Sequence, residues 1–281
     1  MIIRLLIILA LAVGIFNWAY KTYDRLYVAP DRIIREQAKT LPTELPPDPT
    51  IKQFEEIMAV RSAGQLAAAK LNLEGFIRQN PNSPKYVAAI DALGEINSEQ
   101  LFSRDTTEDK EVYVVKSGDS PGRIVLRSKM TMELFNHLNR LNTGMIFPGQ
   151  KLLVVKCDFT MVINQKTQRV ILSKNGKYFR QYPILSGTGS AKKTVVYPKQ
   201  NGKLTDKRVF NEKGVVKATD PGFMSASHQI IVTIPNCSLY SQPEDPEATV
   251  HRPPGGGAGL APAHIAEIAL LLPKNTPVSI E

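Results

Sequence analysis

Side chains able to do nucleophilic or acid–base chemistry are sparse in this 281-residue chain, which has two cysteines and four histidines. A thiolate beside an imidazole base and an oxyanion site can transfer acyl groups. Cys237 lies near His228 and His251 in sequence, so a Cys–His pair is conceivable there. Cys157 and Cys237 are too few for a disulfide framework or a Cys-only zinc site. They permit one bridge or one thiol site, and both alternatives stay open. Gly255-Gly256-Gly257 follows Pro253-Pro254, with no Lys-Ser/Thr after it and no strand leading directly into it. It is not a phosphate loop. No metal and no cofactor is expected.

Apolar residues make up 43% and charged residues 22%, an average globular balance that excludes wholesale disorder and a polytopic membrane protein. The formal charge of +9 is unevenly spread. It is about +1 over residues 1–50, about −3 over 51–111, about +5 over 112–156 and about +6 over 157–281. Such basicity suits nucleic acid, an anionic membrane face or an anionic wall polymer. Nucleic acid is set aside, because the clustered basic and aromatic residues of a nucleic-acid reader are absent.

Residues 112–156 are read as strand, helix, helix, strand. Val112–Val115 is strand-like, Gly118-Asp119-Ser120 turns into a first helix, Thr131 caps a second helix carrying Leu134, Phe135 and Leu138, and Pro148-Gly149 leads into a final strand. This segment resembles the LysM module. Tyr113, Val115, Gly118, Asp119 and Ser120 match its opening, Leu138-Asn139 its second helix, and Pro148-Gly149-Gln150-Lys151-Leu152 its closing turn and strand. Pro121 departs from the apolar residue usual there, which is expected to alter the first helical turn. The glycines and Pro148 hold two loops side by side, where backbone groups can meet the N-acetyl groups of an aminosugar chain. The resemblance implies a peptidoglycan or other N-acetylglucosamine-containing ligand contacted at Gly118, Asp119, Ser120, Asn142, Thr143, Gly144, Met145 and Ile146. Asp119 is expected to act mainly as a helix cap.

Residues 157–281 alternate strand-like stretches with Gly, Pro and Asn turns, and only Pro262–Leu272 looks helical. The opening hairpin through Ser186-Gly187-Thr188-Gly189 and the closing stretch from Gly259 to Ile280 resemble an L,D-transpeptidase domain, most weakly over 192–227. That family uses a cysteine nucleophile, a histidine base and an arginine two residues after the cysteine. Anchored on Leu260 and Ile265, those positions fall on Gly257, Tyr240 and Gly259. The resemblance therefore implies a domain without its nucleophile, base and charged helper. Cys237 lies three residues before Tyr240, and on a regular strand it would face away from the former site.

The first twenty residues hold an apolar run, Leu5–Phe16, followed by Trp18 and Tyr20. This reads as a secretory signal or a single membrane anchor. Cleavage after Ala10-Leu11-Ala12 would leave an apolar core of about five residues against the usual ~7–15, which favours a retained anchor. Flanking charges do not decide orientation.

The expected fold class is α+β and multidomain. It comprises an N-terminal membrane helix over 1–21, a Pro-rich stalk over 22–50, a tetratricopeptide-like helical hairpin over 51–103, a βααβ LysM module over 112–156 and a mostly-β L,D-transpeptidase-like domain over 157–281. The function expected is a wall tether or scaffold in the cell envelope, anchored in the inner membrane with its body outside the cytoplasm. An active enzyme with an atypical site and a protein-docking envelope subunit are the alternatives.

Overall fold

A computed structural model describes residues 14, 17–25, 48–105, 107, 109–141, 144–185, 198–211, 214–216, 220, 222–242 and 257–281. The chain divides into two compact units, Met1–Pro49 and Thr50–Glu281. Most of the expected anchor and stalk, residues 1–13, 15, 16 and 26–47, lies outside the described residues. Residues 17–23 are helical with exposed Trp18, Tyr20 and Tyr23. Among the described residues no helix is long and apolar enough to cross a membrane.

The second unit begins with three helices where a two-helix hairpin is expected. These are α1 (Pro49–Ser62), α2 (Leu66–Gln79) and α3 (Tyr86–Phe102). Helix α1 carries a sparse apolar face: Ile57 is its one buried residue, and the Phe54 ring lies 6.0 Å from Phe76. In α2, Ala69, Leu73 and Phe76 recur at i, i+4 and i+7 and are fully buried. Ser83 and Pro84 are of the types that cap and open a helix, yet α3 starts only at Tyr86. Ser83 instead closes the preceding turn, accepting the Lys85 N–H at 3.1 Å on its hydroxyl and the Tyr86 N–H at 3.0 Å on its carbonyl.

Strands β1 (Lys110–Val114) and β2 (Lys151–Val155) pair antiparallel, with Tyr113 opposite Leu152, and flank helices α4 (Pro121–Ser128) and α5 (Met132–Asn139). The order is the one expected. Pro121 does not disturb α4, because it sits in the first turn, where a missing N–H costs no helical bond. Asn139 fastens α5 to β2: its amide donates to the Leu153 carbonyl at 2.9 Å and its carbonyl accepts the Leu153 N–H at 2.7 Å.

The remainder forms β3 (Phe159–Asn164), β4 (Arg169–Lys174), β5 (Lys177–Pro183), β6 (Gln200–Asn211), β7 (Gly214–Val215), β8 (Ser227–Val232), β9 (Ser238–Ser241), β10 (Ala258–Leu260), α6 (Pro262–Leu271) and β11 (Pro277–Ile280). They build a nine-stranded sheet in the order β10-β9-β8-β6-β11-β3-β4-β5, with β7 paired to β6. All pairs are antiparallel except β10 with β9 and β11 with β3. Just past β5, the Leu185 N–H donates to the Gly259 carbonyl at 2.8 Å. This bond ties the segment after β5 to β10, while β5 and β10 remain the edge strands of the sheet order. Helix α6 is apolar nearly all round and buried from Ile265 to Leu271, as a central core helix must be.

The three regions are built into one body. Helix α3 lies against the edge strand β5, which removes an open ladder from solvent. Asn97 donates to the Phe179 carbonyl at 2.8 Å and the Tyr178 hydroxyl to the Ile90 carbonyl at 3.0 Å. The approach needs Gly94, where a Cβ would meet Arg180 Cγ at 3.0 Å. Between them Glu267 of α6 accepts from Ser98 at 2.5 Å and pairs with Arg180 at 3.0 Å. The βααβ segment shares one apolar core with the large sheet, running from Leu134 and Leu138 through Val154 to Ile268 and Leu271. Thr131 caps α5 and also donates its hydroxyl to the Leu270 carbonyl. The Lys110 ammonium is caged by the carbonyls of Gln100, Ser103 and Asp105 at 2.7, 2.5 and 3.1 Å.

Candidate functional sites

Two places gather the residues singled out from the sequence. The first is formed by the loops after β1 and before β2. They are stitched together where the Val115 N–H donates to the Gln150 carbonyl at 2.9 Å and the Gly149 N–H to the Val115 carbonyl at 2.8 Å. Gly118 (φ 81°) and Gly144 (φ 68°) occupy the left-handed region that favours glycine. Gly118 and Ser120 are exposed, Met145 is 61% exposed, and Ile146 is half-buried against the core. Asn142 and Thr143 lie outside the described residues.

Asp119 does not cap α4. Ser120 does, accepting the Arg123 N–H at 3.4 Å. Asp119 instead accepts the Tyr113 hydroxyl at 2.7 Å and the Lys116 N–H at 2.8 Å, while Arg127 approaches to 3.5 Å. The bond from Tyr113 is the main reason its carboxyl is held below the usual value, and the same bond raises the Tyr113 phenol. The carboxylate is therefore committed to bracing its own loop. Phe147, 65% exposed beside Met145, is a candidate contact that the sequence reading passed over. Its signal was an aromatic residue directly before the Pro148-Gly149 turn.

The second place is the β9–β10 seam, where Gly259 is paired with Tyr240 and Ala258 with Leu239. Gly257 has φ 142°, and a Cβ there would stand 2.0 Å from the Ser238 carbonyl oxygen. As placed, it admits no side chain. A Cβ on Gly259 would meet Gln242 Oε1 at 2.3 Å and Tyr240 Cζ at 3.2 Å. Tyr240 and Gln242 are 7% and 4% exposed and fill the space above Gly259. The Gln242 Oε1 is buried with no hydrogen-bond partner among the described residues.

Neither thiol is activated. Cys157 and Cys237 are both free, so the bridge left open by the sequence is not formed. Burial pushes Cys157 up to about 12 and Cys237 up to about 11, the reverse of what a nucleophilic thiolate needs. Cys237 precedes β9 in a turn, its N–H bonded to the Ile234 carbonyl at 3.2 Å. It is part of the apolar core for that reason, and strand alternation does not apply to it. His228 is 1% exposed, its Nδ1 lies 2.9 Å from the Ala226 carbonyl, and burial holds it below the usual imidazole value. His264 is lowered first by burial and then by Arg180, and its ring lies 5.4 Å from that of Tyr182. His251 lies outside the described residues. Among the described residues no group of three or more His, Cys, Asp or Glu side chains could hold a metal ion.

Comparison with known families matches the LysM domain to residues 113–155. The chain is also 24% identical over 212 residues to the N-acetylmuramoyl-L-alanine amidase sle1 of Staphylococcus aureus (strain bovine RF122 / ET3-1), an alignment covering 68% of this chain and 63% of that protein. In strain USA300 the identity is 25% with the same coverage. The match thus spans less than two thirds of these curated relatives. Among solved structures, an L,D-transpeptidase from Mycobacterium smegmatis is similar with 18% identity and a TM-score of 0.31, covering 47% of this chain and 63% of that one. A fused Zn-dependent amidase/peptidase/peptidoglycan-binding domain-containing protein from Clostridium acetobutylicum follows at 17% identity and a TM-score of 0.28, covering 44% and 52%. The chain contains a LysM domain, which is a peptidoglycan-binding module, and it is a cell-wall-associated protein.

Proposed function

We propose that the protein is a noncatalytic wall tether: the LysM loops hold an N-acetylglucosamine-containing strand while a disabled L,D-transpeptidase-like region serves as scaffold. The observation that carries this reading is Gly257, which as placed has no room for any side chain where the resemblance calls for the nucleophile. Tyr240 and Gln242 fill the neighbouring space over Gly259, where a helper guanidinium would stand. The two thiols elsewhere are buried and hard to ionise. The apolar run Leu5–Phe16 supports a retained membrane anchor, and the LysM domain supports a body outside the cytoplasm.

The test is incubation of the full chain with peptidoglycan carrying tetrapeptide stems. Retention on the wall without cross-linking or stem trimming is expected. Turnover that vanishes in Cys237→Ala would show an atypical enzyme, and failure to be retained would remove the tether.

A further inference from the structure

A cavity of about 420 Å³ opens at the seam between the LysM domain and the large sheet, and its lining shares no residue with either site above. Most of the lining is apolar: Val209 and Phe210 of β6, Val215 of β7, Val216, Phe223 and Ala269 of α6. Three charged residues join them, Glu133 from α5 of the LysM domain and Lys207 and Arg208 from β6. Two cations against one carboxylate leave the lining net positive. The Lys207 ammonium donates to the Ala269 carbonyl at 2.7 Å and lies 3.5 Å from Glu133. An ammonium carries three donors, so among the described residues these two contacts leave one for a further acceptor. Its pairing with Glu133 is loose, and burial already works against its charge, so an added anion would stabilise it. The volume is that of a small-molecule site, and junctions between domains are where such sites form.

We propose that this seam cavity binds a small free carboxylate with an apolar body, its carboxylate held by Lys207 and its apolar body by Val216 and Phe223. The ligand would compete with Glu133 for Lys207. Its occupancy would then be felt directly by the second helix of the LysM domain. This proposal does not depend on whether the β region is catalytic.

Isothermal titration and thermal unfolding of the full chain with octanoate, octanol and acetate test it. Octanoate is expected to bind at one site and raise Tm, with octanol and acetate each weaker by roughly tenfold or more, the worth of one charge-assisted hydrogen bond or of the apolar tail. Val216→Trp, which fills the cavity, should lower octanoate affinity by roughly tenfold or more. Val215→Glu changes a side chain that is 87% exposed, so it should leave folding intact while weakening octanoate and sparing octanol. If V216W does not fold, V215E alone decides. Equal affinity for octanoate and octanol, binding indifferent to the variants, or no octanoate binding overturns the proposal. So does retention on phosphatidylglycerol vesicles that V215E abolishes while octanoate does not bind.

Discussion

Glycine stands at the centre of both candidate sites and does opposite things there. In the LysM loops Gly118 and Gly144 adopt left-handed backbone with nothing within 4 Å of where a Cβ would be. The glycines leave backbone groups open to solvent, and the side chains nearby act as braces. In the β9–β10 seam a Cβ on Gly257 or Gly259 would come within 2.0 or 2.3 Å of a neighbouring oxygen. Here glycine lets the backbone close up. An open glycine offers polar backbone to a ligand, whereas a crowded one records that nothing is meant to project from that position.

Substitution at the two kinds of glycine should separate them clearly. Gly257→Cys, which restores the missing element in name, is expected to give the largest effect, a loss of about 4 kcal/mol or more, since a Cβ must displace the Ser238 carbonyl. Denaturant unfolding reads this loss, and an undiminished midpoint together with transpeptidation would break the contrast. Gly118→Ala should cost only about 1 kcal/mol, the penalty of placing a Cβ at positive φ in open space. Its main effect should be on retention by peptidoglycan, measured by co-sedimentation. Asp119→Asn should loosen the same loop and weaken retention while leaving the global unfolding midpoint nearly unchanged, because Tyr113 and Lys116 lose a charged acceptor.

The smallest effect is one of pH and falls outside the two loops. His137, His228 and His264 are all held below the ordinary imidazole value, chiefly by burial. The unfolded chain therefore takes up protons at a pH where the folded chain does not. Stability should be full above about pH 6.5 and fall as pH drops below it. Thermal unfolding between pH 8 and 5 measures the slope, and His228→Gln should flatten it.

How much of this was legible in the sequence depended on the range of the interactions. The LysM domain was readable because its fixing bonds are local: Tyr113 to Asp119, Thr131 to Leu134, Asn139 to Leu153. Even there the cap falls on Ser120 and not on the expected Asp119, which braces the loop, because both types accept N–H bonds equally well. Strand β6 was missed. Along its twelve residues only Leu204 is buried, so no apolar alternation marks it. Helix α1 escaped for a similar reason, with Ile57 its one buried side chain. The seam around Gly257 was located by spacing, yet its crowding depends on Ser238 and Gln242 crossing from a strand some twenty residues earlier. No local pattern reports that distance.

The single core that joins the LysM domain to the large sheet changes what a grip on the wall means. A module on a flexible tether must surrender orientational freedom each time it captures a strand. Here that freedom is already spent in folding, with Thr131, Lys110 and the buried leucines setting the angle of approach. Tension on a captured glycan would pass straight into the sheet, with no slack to take up first.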